Sequence, residues 1–76
     1  MLVVTGGTKG IGKAIIKIFA KHGHDIATCS RKTKELLELK EEIEGEFNVK
    51  VYVQSADLSV TEDLNSFIGF VKRIIY

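Results

Sequence analysis

Residues 5–14 have the sequence TGGTKGIGKA, with four glycines and two lysines in ten residues, directly after the apolar residues 2–4. Glycines at this density let a backbone approach a phosphate closely, and the start of a following helix offers unpaired amides. A short strand that is apolar on both faces is typical of the interior of a parallel sheet. The stretch therefore predicts a strand, a loop and a helix that together bind a phosphate-bearing ligand.

The composition of the chain limits which partners and which cellular location we expect for it. The chain has 76 residues and a net charge of +1, which gives no reason to expect nucleic acid or an anionic membrane surface as a partner. No apolar run approaches the roughly 20 residues of a membrane span. The single cysteine, Cys29, excludes an internal disulfide and fits a reducing compartment. We expect a cytoplasmic globular chain of one domain at most.

Hydrophobic periodicity predicts three strands that alternate with three helices. The strands are expected at residues 2–5, 25–30 and 49–54. The helices are expected at about 11–22, from Thr33 as N-cap to about 45, and after a capping box at residues 59–62 with Ser59 as the cap. Right-handed crossovers then give an α/β, Rossmann-type half with three parallel strands in the order 3-2-1. The first strand lies at an edge in this order although its sequence is typical of a central strand, so its outer edge should attract another strand.

The first helix carries a stripe of apolar residues that we expect to face the core. The opposite side carries three lysines four residues apart, which we expect to be solvated. The apolar stripe consists of Ile11, Ala14, Ile15, Ile18 and Phe19, and the lysines are Lys13, Lys17 and Lys21.

Two general phosphate-loop patterns match the glycine stretch incompletely. Gly10 and Gly12 begin the dinucleotide pattern G-x-G-x-x-G, but Ile15 stands where the third glycine belongs. Residues 7–13 satisfy the nucleotide-binding pattern G-x-x-x-x-G-K, but Ala14 follows, where a magnesium-binding hydroxyl is required. A glycine-rich turn without any ligand remains a further alternative.

The pattern Thr-Gly-x-x-x-Gly-x-Gly is met in full by Thr5, Gly6, Gly10 and Gly12. This pattern closely resembles the cofactor loop of the short-chain dehydrogenase/reductase family, whose members have a Rossmann fold. The resemblance covers the whole chain but only the first part of the family's fold, so residues 1–76 would be the N-terminal part of one NAD(P)-binding domain. It implies that the pyrophosphate region is held by Gly6, Lys9, Gly10, Ile11 and Gly12, with Ile11 also filling the core beneath the loop.

The end of the second strand bears on the choice of nicotinamide cofactor. Ser30 and Arg31 occupy the position where NAD-binding proteins place a carboxylate for the ribose 2′-hydroxyl, whereas Asp25 lies at the opposite end of the strand. An arginine can hold the 2′-phosphate of NADP by a forked, charge-assisted bond. NADP-preferring members of the family often carry this arginine and a second basic residue before the middle glycine, here Lys9. We therefore expect NADPH in preference to NADH, with Thr8, Ser30 and Arg31 at the ribose phosphate.

Asp57 and Leu58 match the family's next marker, an aspartate after the third strand that lies beside the adenine ring. A simpler role for Asp57 is to help start the last helix, where an anion is favourable. The two roles are compatible.

The family's catalytic residues do not occur in these 76 residues. Members continue with a fourth strand, an Asn-Asn-Ala-Gly stretch, a catalytic serine and a Tyr-x-x-x-Lys pair, whereas here Tyr52 is followed four residues later by Ala56 and Tyr76 is the last residue. The parent activity implied is NADPH-dependent reduction of a carbonyl or the reverse oxidation, and we expect no hydride transfer by this chain alone. The alternative is a noncatalytic module that binds a nucleotide, or that completes a sheet with itself or a partner chain through the exposed edge. His22, His24 and Cys29 have neither the spacing nor the number for a metal site.

Overall fold

The computed structural model describes residues 1–6 and 10–75. The elements follow one another as strand β1 (Leu2–Thr5), helix α1 (Gly10–Lys21), strand β2 (Ile26–Ser30), helix α2 (Thr33–Glu46), strand β3 (Val51–Ser55) and helix α3 (Thr61–Ile75). The alternation of strands and helices is the one predicted from periodicity, with small shifts at the element ends.

The three strands form one parallel sheet in the order β1-β2-β3, which confirms the predicted 3-2-1 order. In register, Leu2 lies beside Ile26 and Ile26 beside Val51 at the amino ends of the strands. At the carboxyl ends, Thr5 lies beside Cys29 and Cys29 beside Gln54. The two loops that leave β1 and β2 therefore start next to each other, at the same end of the sheet as the loop after β3.

The main core lies between one face of the sheet and helices α1 and α2. Ile26 and Val51 point into it from the sheet, and both are fully buried. Ile43 of α2 and Ile16 of α1 meet them there. At roughly 1.5–3 kcal/mol for each fully buried aliphatic side chain, this cluster supplies much of the stability of so small a fold.

The expected apolar stripe of α1 is not its buried face. The residues that face the sheet are Ile16 and Ala20, whereas Ile11 is 80% exposed and Ile18 is 57% exposed. Ala14 is exposed as well. Apolar residues surround most of this helix, and β1 lies at the sheet edge, so no described strand beyond β1 covers the second apolar side. The expectation that Ile11 fills the core beneath the loop is therefore wrong.

The lysine side of α1 is not simply solvated either. Lys13 and Lys17 each place their Nζ atom 2.9 Å from a carboxylate oxygen of Glu42 on α2. These two ion pairs tie the outer surfaces of α1 and α2 together. They also lower the pKa of the Glu42 carboxyl, chiefly through the hydrogen bond from Lys17.

Helix α3 lies on the other face of the sheet, where Phe67 packs against Cys29 and Ala56. Both predicted helix caps differ from the structure. Thr33 is the first residue of α2, and the cap position belongs to Lys32, which forms no side-chain cap bond. The hydroxyl of Ser59 donates to Asp57 and does not cap α3, which begins at Thr61. No helix in the described parts of the chain is long and apolar enough to cross a membrane.

Candidate functional site: a cleft at the carboxyl ends of the strands

A cleft of about 520 Å³ opens at the carboxyl ends of all three strands. Its volume lies in the range of small-molecule binding sites, and its position is where parallel α/β sheets bind ligands. Ten described residues line the cleft: Thr5, Gly6, Cys29, Ser30, Arg31, Lys32, Ala56, Asp57, Leu58 and Ser59.

The first wall of the cleft is the turn that leaves β1. Gly6 has a φ of +65° and its N–H donates to the carbonyl of Cys29 over 3.0 Å, so the turn stays joined to β2. Gly10, the first residue of α1, has a φ of +48°. A Cβ atom on either glycine would meet nothing within 4 Å, so the left-handed backbone and not crowding is what favours glycine here. Gly12 and Ile11 belong to the first turn of α1, and Thr8 and Lys9 lie outside the described residues.

The second wall follows β2. The hydroxyl of Ser30 accepts a hydrogen bond from the N–H of Lys32 at 3.2 Å, and the Ser30 carbonyl accepts one from Ala56 at 3.0 Å. Between these fixed points Arg31 is exposed and borders the cleft. The carboxylate of Asp25 lies at the far end of β2, where it accepts the N–H of Lys50 at 2.9 Å. The two residues that directly follow β2 and line the cleft are therefore the cations Arg31 and Lys32, and no carboxylate lies between β2 and the cleft.

The third wall follows β3 and centres on Asp57. One carboxylate oxygen, Oδ1, accepts the N–H of Ser59 at 3.0 Å and its hydroxyl at 2.7 Å. The backbone N–H of Asp57 donates to Oδ2 of Asp63 at 2.8 Å. The bonds from Ser59, with a smaller contribution from the charge of Arg31, hold the pKa of the Asp57 carboxyl below its ordinary value. Asp57 is therefore an ionised acceptor at neutral pH, and the neighbouring Leu58 packs on the core around Phe67.

Cys29 lies at the base of the cleft and is buried. Burial raises the pKa of its thiol, opposed by a weaker backbone hydrogen bond from Gly6. A thiol with a raised pKa stays protonated at neutral pH and is a poor nucleophile. Cys29 is therefore a small apolar residue of the core around Phe67. The described residues contain no group of three or more side chains that could hold a metal ion.

The structure thus brings together five of the residues predicted to bind the cofactor: Gly6, Ser30, Arg31, Asp57 and Leu58. Gly10, Ile11 and Gly12 form the start of α1 and are not among the described residues that line the cleft. Sequence reasoning did not predict the other five lining residues as part of the site: Thr5, Cys29, Lys32, Ala56 and Ser59. Lys32 could have been found from its place beside Arg31, and Ser59 from its spacing to Asp57, at which a serine hydroxyl can bond back to an aspartate.

Comparison with known proteins identifies the class to which this fold and cleft belong. The family model of the short chain dehydrogenases matches residues 1–75. The chain is therefore a member of the short-chain dehydrogenase family.

Particular members of the family show which part of the fold is present. An uncharacterized oxidoreductase of Mycobacterium tuberculosis is 32% identical over 97% of this chain and 32% of its own length. L-sorbose reductase from Gluconobacter frateurii, solved in complex with NADPH and L-sorbose, matches with a TM-score of 0.90 and 30% identity over 95% of this chain and 27% of that protein. A short-chain dehydrogenase from Sphingobium yanoikuyae in complex with NADPH matches with a TM-score of 0.82 and 32% identity over 86% of this chain and 25% of that protein. The chain spans about a quarter to a third of the length of these relatives.

Proposed function

We propose that this chain is the NADP(H)-binding portion of a short-chain dehydrogenase/reductase that acts on a carbonyl or alcohol substrate. The observation that carries the proposal is Arg31, which borders a cleft at the carboxyl ends of the strands with no carboxylate at the end of β2. A carboxylate at this position would select NADH, because it accepts a hydrogen bond from the ribose 2′-hydroxyl. A guanidinium instead attracts the 2′-phosphate that NADPH carries in place of that hydroxyl. The similar structures solved with NADPH support the same cofactor.

Each wall of the cleft has a part in this binding mode. The turn at Gly6 and the start of α1 at Gly10–Gly12, with Lys9, would face the pyrophosphate with backbone amides and positive charge. Ser30, Arg31 and Thr8 would hold the phosphorylated ribose. Asp57 and Leu58 would border the adenine ring, one by a hydrogen bond and the other by apolar contact.

The reaction of the parent enzyme would be hydride transfer between the nicotinamide and a carbonyl carbon. When bound, the cofactor supplies the hydride, and the residues of this chain bind and orient its adenosine half. The 76 residues contain no Tyr-x-x-x-Lys pair to deliver the proton. Incubation of the chain with NADPH and a panel of ketones should therefore show no loss of absorbance at the nicotinamide band, and steady turnover would contradict this assignment of roles.

Isothermal titration calorimetry tests cofactor binding directly. We expect NADPH to bind about tenfold or more tightly than NADH, since a phosphate paired with a cation is worth more than one ordinary hydrogen bond. The fragment 2′,5′-ADP should compete with NADPH, and nicotinamide mononucleotide should not. Equal affinity for NADPH and NADH would contradict the proposed cofactor.

The open edge of β1 supports a second proposal, that this edge takes up further strands, from another copy of the chain or from a partner chain. Within the described residues, no strand pairs with the outer edge of β1. The side chain of Val3, in the middle of this strand, is 42% exposed. Ile15 and Ile18 leave apolar surface on the adjoining helix. Sedimentation equilibrium should show self-association, and a stable monomer at all concentrations would count against it.

We also propose a cytoplasmic location for the protein. The support is the buried, unpaired thiol of Cys29, which suits a reducing compartment. Imaging of a fluorescent fusion in the native cell tests the proposal, and accumulation of the fusion outside the cytoplasm would contradict it.

A further inference from the structure

The outer edge of β1 carries hydrogen-bonding groups in a self-complementary arrangement. We propose that two copies of the chain pair through β1 in antiparallel orientation, with Val3 of one copy opposite Thr5 of the other, so that their sheets join into one sheet of six strands. The inference rests on the proposed uptake of strands at this edge, and it commits that proposal to a second copy of the chain and to one register.

The backbone of β1 turns alternate residues toward the open edge. The N–H groups of Leu2 and Gly6 donate to carbonyls on the side of β2, at 2.9 and 3.0 Å. Successive residues of a strand direct their backbone groups to opposite sides, so the N–H and C=O groups of Val3 and Thr5 point away from β2. Residues 2–5 contain neither a charge nor a proline, two of the features that prevent strand addition at exposed sheet edges.

The opposite edge of the sheet, along β3, is protected. The carbonyl of Lys50 accepts the N–H of Ile26 at 3.0 Å, so the next residue, Val51, faces outward by the same alternation. Its N–H donates to Oε2 of Glu44 at 2.8 Å, and its carbonyl accepts a bond from Nζ of Lys40 at 2.6 Å. A strand that approached this edge would have to displace an ion pair. This edge therefore disfavours head-to-tail stacking of β1 on β3, which leaves β1 of a second copy as the strand that β1 can pair with.

Pairing of β1 with itself fixes the register. Two identical strands related by a two-fold axis across their plane run antiparallel and present the same surface to each other. With the axis at Val4, Val3 of each copy lies opposite Thr5 of the other, and each such pair exchanges two N–H···O bonds. Val4 then lies opposite Val4 of the other copy, with the two Cα atoms about 4.5 Å apart. An axis at Val3 would instead leave Thr5 opposite Met1, which lies outside β1.

Helix α1 supplies apolar surface beside this edge. Lys13 and Lys17 pair with Glu42 of α2, so that side of α1 faces α2. Ile15 is two residues from either lysine, which places it about 160° around the helix, toward the open edge of β1. Ile18, which is 57% exposed, adjoins Ile15 on this side. The two-fold axis sets the two α1 helices side by side and antiparallel, so their exposed apolar residues cover each other and each positive amino end lies near a negative carboxyl end.

Cysteine cross-linking tests the register. Val4→Cys should give an intermolecular disulfide on brief oxidation, because the expected Cα separation suits this bond. Val3→Cys, on the same strand, is the matched control and should give little product, since diagonal neighbours on paired strands lie about 7–8 Å apart. The unsubstituted chain, whose Cys29 is buried, should give none. Non-reducing electrophoresis separates the products.

Sedimentation equilibrium tests the hydrogen bonds and the helix contact. Val3→Pro removes one outward N–H from each copy, and hence two of the four bonds, so the dissociation constant of the dimer should rise by about tenfold or more. Val3→Ala keeps the N–H and should change the constant far less. Ile18→Glu places a charge in the apolar contact and should raise the constant by about tenfold, which decides the question if the proline variant does not fold. Leu37→Glu, at a similarly exposed position on α2, should leave it unchanged.

Each outcome bears on a different claim. A monomer at all concentrations overturns strand uptake from a second copy, and the inference with it. A dimer that cross-links through Val3→Cys as readily as through Val4→Cys overturns the register. A dimer that cross-links through neither cysteine, or that Ile18→Glu leaves intact, has its interface elsewhere and overturns the inference although the chain self-associates. Titration with NADPH measures cofactor binding separately, so its result decides the cofactor proposal alone.

Discussion

Carboxylates accept backbone N–H groups at both ends of the sheet, but they contact different parts of the fold at each end. At the amino ends of the strands, Asp25 accepts the N–H of Lys50 at 2.9 Å and Glu44 accepts the N–H of Val51 at 2.8 Å. Lys40 adds a bond of 2.6 Å to the carbonyl of Val51 and another of 2.9 Å to Glu44. At the carboxyl ends, Asp57 is held by its own loop and borders an open cleft. Carboxylates therefore join neighbouring elements at one end and border an open cleft at the other.

This difference shows why the position of an acidic residue matters more than its presence. Asp25 and Asp57 both flank a strand and both accept a backbone N–H. Asp25 precedes its strand and links it to the start of β3, so it supports the fold. Asp57 follows its strand, where the parallel arrangement brings three loops together. Substitutions at the amino end should thus change stability, and substitutions at the carboxyl end should change binding.

The largest effect is expected for Arg31→Asp. Replacing the guanidinium by a carboxylate removes the partner of the 2′-phosphate and adds repulsion, so the ratio of NADPH to NADH affinity should fall by about 100-fold. Calorimetric titration with both cofactors measures the ratio. Arg73→Asp, an exposed arginine on α3 far along the chain from the cleft loops, is the matched control and should leave the ratio unchanged. An unchanged ratio in Arg31→Asp would contradict the cofactor assignment.

The pair Asp57→Ala and Asp25→Ala tests the two ends against each other. Asp57→Ala should weaken NADPH binding by about tenfold through the lost bond to the adenine. Asp25→Ala should leave the NADPH affinity unchanged and lower the free energy of unfolding by about 1 kcal/mol, as the Lys50 N–H loses its partner. Calorimetry and urea unfolding give the two quantities. Equal losses of affinity in both variants would mean that the ends do not differ in function.

Glu44→Gln tests the hydrogen bonds at the amino end of β3. The amide keeps an acceptor oxygen but loses the charge that pairs with Lys40, so the free energy of unfolding at pH 7 should fall by about 0.5–1 kcal/mol. Urea unfolding measures the loss. The exposed Glu41, which lies on the same helix, provides Glu41→Gln as a control with no expected change. A stability equal to that of the unsubstituted chain would show that the Glu44 contact contributes nothing.

A smaller effect should appear in the pH dependence of stability. The Val51 N–H, followed by Lys40, lowers the pKa of the Glu44 carboxyl below its ordinary value of 4.5. A lowered pKa in the folded state means that this stabilisation is complete above the unfolded value and is lost as the pH falls through the folded value. Urea unfolding between pH 7 and about pH 3 should therefore show a shallower acid loss for Glu44→Gln than for the unsubstituted chain. Parallel curves would contradict the shift.

The periodicity of the sequence was sufficient to predict the strands and their parallel order, and the glycine loop after β1 indicated the end of the sheet at which the cleft opens. Alternation at Val51 and Val53 and the β-α-β spacing leave few arrangements once crossovers are right-handed. The resemblance of the glycine loop added the identity of the residues that the structure then gathers, such as Arg31 and Asp57.

Sequence reasoning failed where two local solutions compete. Helix α1 has apolar residues on more than one side, so periodicity alone chose the stripe with Ile11, while the packing of Ile16 decides the buried face. Ser59 fits a capping box in sequence, but in the structure its hydroxyl donates a hydrogen bond to Asp57, which precedes it by two residues. The pairing of Glu44 with Val51 depends on tertiary register, which no local pattern encodes.

The difference between the two ends is tested most directly by amide chemical shifts recorded while NADPH is added to the isotope-labelled chain. The account predicts that the largest changes fall on residues 29–32 and 56–59, with those of Gly6 and Gly10, and that residues 24–26 and 49–51 change little. Changes centred on the amino ends of the strands, or spread evenly over the chain, would contradict the proposed binding site.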